Sequence, residues 1–131
     1  MSDSFQLTLG GGVDAPAAAR RAIAEHHPTL PQPVKDNILL LVTELVTNAV
    51  RHGGAAASQP VQVEVRTSRG RIRVDVVDPG VDFDAPPRPG NGDSNGGWGL
   101  FLLDKIAESW GVCPAPAGTC VWFEVPAGVS A

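Results

Sequence analysis

The chain has no apolar run approaching the ~18 residues that span a bilayer, no basic stripe, and no cysteine pattern of a metal site. The first absence excludes a transmembrane helix. The opening "MSDSFQLTLGGG" also lacks the basic start and apolar stretch of a secretory leader, so a cytoplasmic protein without membrane partners is expected. With a formal net charge of −4 and scattered arginines, direct binding to nucleic acid is not expected. The two cysteines, Cys113 and Cys120, sit in "WGVC" and "TCVWFEV", which read as neighbouring strands that could bring them face to face. In a reducing cytosol two free thiols are the expectation, with a functional disulfide as the alternative. No solenoid-type repeat is present. Neither G-x-x-x-x-G-K-[ST] nor a G-x-G-x-x-G after a strand occurs, which excludes a P-loop and a dinucleotide fingerprint.

What is present fits a single domain over residues 1–131, large enough to bury roughly two-thirds of its unfolded surface. "FQLTL" reads as a strand. Asp14 and Pro16 open an Ala-rich helix that ends before Pro28. A second helix spans about Val34 to His52, with Pro33 in its first turn and Gly53-Gly54 at its end. Its apolar residues Ile38, Leu41, Val42, Leu45, Val46, Ala49 and Val50 recur at three- and four-residue intervals. "VQVEVRT" and "RIRVDVVD" alternate as strands, joined by a tight turn at "SRG". The polar, Gly/Pro-rich stretch from Asp78 to Gly97 is too long for a mere connection and suits a binding loop. "GLFLLDKIAESW" predicts a third helix, "GVC" and "TCVWFEV" a closing hairpin, and about 127–131 a frayed tail. The order β-α-α-β-β-loop-α-β-β predicts an α+β, two-layer α/β sandwich: one mixed, mainly antiparallel sheet with helices on one face.

Polar residues interrupt this pattern at three places. Glu44 and Asn48, four residues apart on the most apolar helix, share a face that Thr43, Thr47 and Arg51 widen. A solvated polar face accounts for them equally well on spacing alone. Asp78 ends an apolar strand two residues before Gly80. Its carboxylate could accept a hydrogen bond from an exocyclic amine, although a strand-ending Asp-Pro-Gly turn needs no ligand. Gly96, Gly97 and Gly99 open a helix whose first N–H groups suit phosphate oxygens. His26 and His27 lack further ligands in sequence and read as surface residues, and His52 as a helix-end residue.

Taken in order, E-x-x-x-N, D-x-G, a Gly-rich loop, G-x-G-L and "GTCVWFEV" resemble the ATP-binding (GHKL, Bergerat-fold) domain of sensor histidine kinases, type II topoisomerases and Hsp90 chaperones. "TELVTNAVRHG", "GGWGLFLLDKIAESWGV" and "GTCVWFEVP" look most like the stand-alone anti-sigma-factor serine/threonine kinase branch. The resemblance covers nearly the whole chain. It implies ATP and Mg²⁺ as cofactors, with Asn48 holding Mg²⁺ and Glu44 as the catalytic base. It implies Asp78 at the adenine amine, Gly80 beside the base, and Gly97, Gly99 and the Leu100 backbone at the phosphates. Thr119 would support the adenine side, and residues 84–97 would form the lid, with Trp98 beside it.

By the same resemblance the protein would phosphorylate an anti-sigma-factor antagonist protein and exchange it for a sigma factor. The Ala-rich helix could pack within the domain or support a homodimer, and its residues suit either. The chain departs from the pattern in two places. Asp82 stands where the second glycine of D-x-G-x-G is frequent, and the lid holds one basic residue, Arg88. These departures motivate the alternative, an ATP-binding protein-interaction module with little or no catalysis.

Overall fold

The computed structural model describes residues 3–10, 12–52, 60–79, 97–115 and 118–128. In chain order the elements are β1 (Asp3–Leu9), α1 (Ala15–His26), α2 (Gln32–His52), β2 (Val61–Ser68) and β3 (Arg71–Pro79). They continue with α3 (Gly97–Ile106), β4 (Ser109–Ala115) and β5 (Gly118–Pro126). The strands form one five-stranded sheet ordered β1-β2-β3-β5-β4. Every described pairing is antiparallel, so the sheet expected as mixed and mainly antiparallel has no parallel pair among the described residues.

Alternation decides which face is covered. Val61, Val63 and Val65 of β2, Ile72, Val74 and Val76 of β3, and Phe123 and Val125 of β5 are all buried in one core. Their neighbours in register on the other face include Glu64, Arg66, Arg73 and Asp75, so the helices lie on one side only, as the two-layer arrangement requires. α2 supplies Ile38, Leu41, Val42, Leu45, Val46 and Ala49 to this core, while Val50 packs at its margin and Leu40 faces solvent. From α1 come Ala15, Ala19 and Ile23 at four-residue spacing.

Two ends of the sandwich must be distinguished. At one end β3 begins with Arg71 opposite Pro126, where β5 finishes. There Ala127, expected as the first residue of the tail, is buried and donates its N–H to Gly70 O at 2.7 Å. Gly128 lies so near the start of α2 that a Cβ on it would stand 2.8 Å from Val34 Cγ2. At the other end Asp78, the last residue but one of β3, lies opposite Thr119, just inside the start of β5. α2 therefore starts at the Arg71 end.

The third helix is shorter than its sequence suggests. α3 stops at Ile106, and Ser109 and Trp110, expected in the helix, begin β4 instead. Pairing with β5 overrides helix propensity: the Glu108 N–H bonds Glu124 O at 2.8 Å, and Trp110 sits opposite Phe123. An Arg71–Glu108 ion pair at 2.6 Å closes the same corner.

The turn between β2 and β3 has only Arg69 and Gly70 between the paired residues Ser68 and Arg71, with φ of +55° and +75°. Two central residues at positive φ are the pattern of a type I′ turn, which matches strand twist. Arginine is a poor occupant of that conformation, which costs an L-residue roughly 1–2 kcal/mol. Arg69→Asn should therefore raise the melting temperature by a few degrees. Gly70→Ala, with nothing within 4 Å of the added Cβ, should lower it through backbone strain alone. Thermal unfolding followed by circular dichroism checks both, and equal melting in all three proteins would contradict the turn assignment.

Candidate functional site

Along the covered face of β3 the residues Ile72, Val74 and Val76 are followed, at the same period of two, by Asp78. The alternation that buries the valines buries this carboxylate as well. Asp78 retains 6% relative exposure, and so does Thr119, its partner on β5. Asp78 Oδ1 has no hydrogen-bond partner among the described residues. Burial without compensation penalises the charged form and pushes the carboxyl up to about 7. A buried, uncompensated acceptor of this kind typically costs about 1–3 kcal/mol, so the fold is holding a group it would be more stable without.

Glu44 and Asn48 lie on α2, half-buried, beside the core residues Leu45 and Ala49. At 1.5 Å per residue, Asn48 stands about 21 Å along the helix from Val34, well away from the Arg71 end. Thr43, read from sequence as part of the same polar stripe, is engaged otherwise. Its Oγ1 donates to Leu39 O at 2.6 Å and accepts from Arg20 Nη1 of α1 at 3.2 Å. That hydroxyl joins α1 to α2.

The backbone of Gly97, Trp98, Gly99 and Leu100 forms the first turn of α3. Their N–H groups precede the first possible intrahelical acceptors. The other terminus of α3 is tied to the Arg71 end through Glu108, so the first turn lies about 15 Å from that corner along the helix axis. Gly80, Asp82, Arg88 and the lid residues 84–96 lie outside the described residues, as do the side chains of Gly97 to Leu100.

The open face of the sheet holds a cluster that sequence reading passed over. Asp75 accepts from Arg73 Nε at 3.0 Å, from Arg66 Nη2 at 3.4 Å and from Cys120 Sγ at 3.4 Å. Burial alone raises the Asp75 carboxyl, but Arg73, Cys120 and Arg66 together outweigh it and hold it below the usual carboxylate range. The Arg73 guanidinium also stands 4.3 Å from the centroid of Trp122, whose indole lies against Gly111. The signal was available in "RIRVDV", where alternate residues must share a face.

His26 stacks on Phe5 with ring centroids 3.9 Å apart, and His27 lies 5.7 Å from the same ring. Among the described residues no three His, Cys, Asp or Glu side chains cluster as metal ligands. No helix among them is long and apolar enough to cross a membrane.

Residues 13–125 match the histidine kinase-like ATPase domain. Among solved structures, the RsbU and RsbW domains of Rv1364c from Mycobacterium tuberculosis align with a TM-score of 0.73 at 19% identity, over 95% of this chain and 32% of that one. The histidine kinase domain of the Erythrobacter litoralis EL346 blue-light activated histidine kinase aligns at 0.60 and 22%, over 86% of this chain and 59% of that one. This chain thus spans about a third of the first and about three-fifths of the second, and at such identity the likeness is one of fold. No curated protein matches it.

Folded Asp78 keeps its proton up to about pH 7, whereas the unfolded carboxyl releases it near 3.8. Across that window the folded state holds the extra proton. Stability therefore falls as pH rises through it, and the whole penalty stands above the folded value. Asp78→Asn, which cannot ionise, should melt several degrees above the wild type at about pH 8, with the gap closing toward about pH 4. Calorimetric melting across pH checks this, and a gap independent of pH would remove Asp78 as its source.

Proposed function

The chain belongs to the histidine kinase-like ATPase domain family, and from that premise we propose that it binds Mg-ATP and phosphorylates a serine or threonine of a small antagonist protein. In the same cycle it would release that partner and hold a sigma factor, so that phosphorylation selects the partner. Membership of the family implies ATP binding; the acceptor residue and both partners are the proposal.

One observation carries the reading: the buried Asp78 oxygen, opposite Thr119, with no hydrogen-bond partner among the described residues. The adenine amino group is a neutral donor of the kind this acceptor lacks, and its hydrogen bond would offset the cost of burying the carboxylate. Thr119 lines the same side, and Gly80 lets the base approach. The first turn of α3, at Gly97, Gly99 and Leu100, offers backbone N–H donors to the phosphates. By the family pattern residues 84–97, of which 84–96 lie outside the described residues, would serve as the lid.

Asn48 would hold Mg²⁺ through its amide oxygen; this hard cation commonly keeps several waters and takes its remaining ligands from substrate phosphates. When bound, it neutralises charge on the phosphate oxygens. Glu44, one turn before Asn48, accepts the proton of the attacking hydroxyl as the oxygen bonds to the γ-phosphorus and ADP departs. The sequence offers no activated nucleophile, and phosphoryl transfer needs none: positioning and charge supply most of the acceleration.

Calorimetric titration with ATP, with and without Mg²⁺, is the first test. Wild type should bind in a magnesium-dependent manner, and Asn48→Ala should lose tenfold or more in affinity, about 1.4 kcal/mol. Because an ionised carboxylate is a stronger acceptor than a protonated one, affinity should fall as the pH drops below the Asp78 value of about 7. Glu44→Ala should keep nucleotide binding yet slow transfer to the antagonist by roughly 10²–10⁴-fold, read as phosphate on the acceptor residue. Magnesium-dependent binding with no transfer to any partner would leave the interaction-module reading. No binding at all would overturn both.

A further inference from the structure

Cys113 and Cys120 are directly opposed in the antiparallel pairing of β4 with β5. Their side chains therefore leave the same face of the sheet, the one without helices. Opposed residues in such a ladder have Cα atoms about 4.5–5.5 Å apart, inside the roughly 4.4–6.8 Å that a disulfide spans. Both are free thiols here.

The two thiols occupy unlike surroundings. Cys120 keeps 5% exposure and donates to Asp75 Oδ2 at 3.4 Å. Asp75 is itself clamped by Arg73 and Arg66. Burial first, then the Asp75 charge and the neighbouring Cys113, push the Cys120 thiol up to about 12, so it is a poor initial nucleophile. Cys113 is half-buried on β4, at the margin of the sheet, where a small oxidant can reach it. An accessible thiol with a second, withheld thiol in register is the arrangement of an attacking and a resolving cysteine.

We propose that Cys113 and Cys120 are a reversible redox pair, oxidised by small hydroperoxides to an intramolecular disulfide that staples β4 to β5. In the first step the Cys113 sulfur attacks a peroxide oxygen. The O–O bond breaks, hydroxide leaves and takes up the thiol proton as water, and Cys113 becomes a sulfenic acid. In the second, the Cys120 sulfur attacks the Cys113 sulfur. The S–S bond forms, the S–O bond breaks, and the Cys120 proton passes through Asp75 Oδ2 to the departing hydroxide. Two thiols and one hydrogen peroxide give one disulfide and two waters; the two electrons lost by sulfur reduce the peroxide. The staple forms beside Thr119 but requires no nucleotide, so the inference stands apart from the proposed kinase activity.

The test uses the full, reduced chain treated with equimolar hydrogen peroxide, then denatured and alkylated with a maleimide. Intact mass should show a monomer lighter by two hydrogens and carrying no maleimide. Peptide mapping should join Cys113 to Cys120, and dithiothreitol should restore two alkylatable thiols. Cys120→Ser should accumulate a sulfenic acid on Cys113 that dimedone traps, whereas Cys113→Ser should leave Cys120 unmodified at the same dose. Two alkylated cysteines after oxidation, a disulfide between chains, or sulfinic acid in place of the disulfide would each overturn the proposal. Mapping of the wild-type chain decides it even if either variant fails to fold.

Discussion

The central constraint of this structure is the antiparallel pairing of β3 with β5, at the heart of the sheet. It joins two segments far apart in the chain and sets Asp78 against Thr119, Val74 against Phe123 and Asp75 against Trp122. A shift of one residue would turn every β3 side chain to the opposite face. Ile72, Val74 and Val76 would then meet solvent, while Arg73 and Asp75 would enter the core. Burial of the aliphatic face therefore locks the register, and the locked register forces Asp78 into the covered layer. A carboxylate buried by its neighbours' hydrophobicity, with no compensating donor among the described residues, is a cost that a ligand can offset.

Around that axis the sheet presents two chemically different faces. The helix-covered face is apolar along β3 and β5 except at one end, where Asp78 near the finish of β3 meets Thr119 near the start of β5. The open face is a mosaic in which one carboxylate, Asp75, gathers two guanidinium groups and a thiol. Exposed ion pairs contribute little each, so Arg71–Glu108 marks a corner rather than secures it. Asp75 differs because it is largely covered and multiply bonded. Its charge is kept, and that charge in turn suppresses ionisation of Cys120. Burial and this one side chain together hold Cys120 in its protonated form.

Much of this was legible from residue order. The core stripe of α2 follows from its three- and four-residue intervals, and the hairpin at Arg69-Gly70 from two alternating strands around a short polar turn. The C-terminal boundary of α3 was not legible. Ala107 to Trp110 continue a pattern compatible with a helix, and only the Glu108 backbone bond to Glu124 and the pairing of Trp110 with Phe123 end the helix and start β4 at Ser109. Thr43 was misassigned for a related reason: helical spacing says which residues neighbour one another, but not which neighbouring helix claims a hydroxyl.

The sequence by itself determined the α+β class, the order of elements, the apolar faces and the positions at which polar residues break them. These depend on periods of two and 3.6 and on turn chemistry, which are local properties of the chain. Only the tertiary structure decided that Asp78 is buried beside Thr119 with an oxygen that has no donor among the described residues, and that Asp75 collects Arg66, Arg73 and Cys120 on the far side of the same strands. Those outcomes depend on which strand lies beside which and on what covers each face. Such facts arise from contacts between distant segments, and no local pattern encodes them.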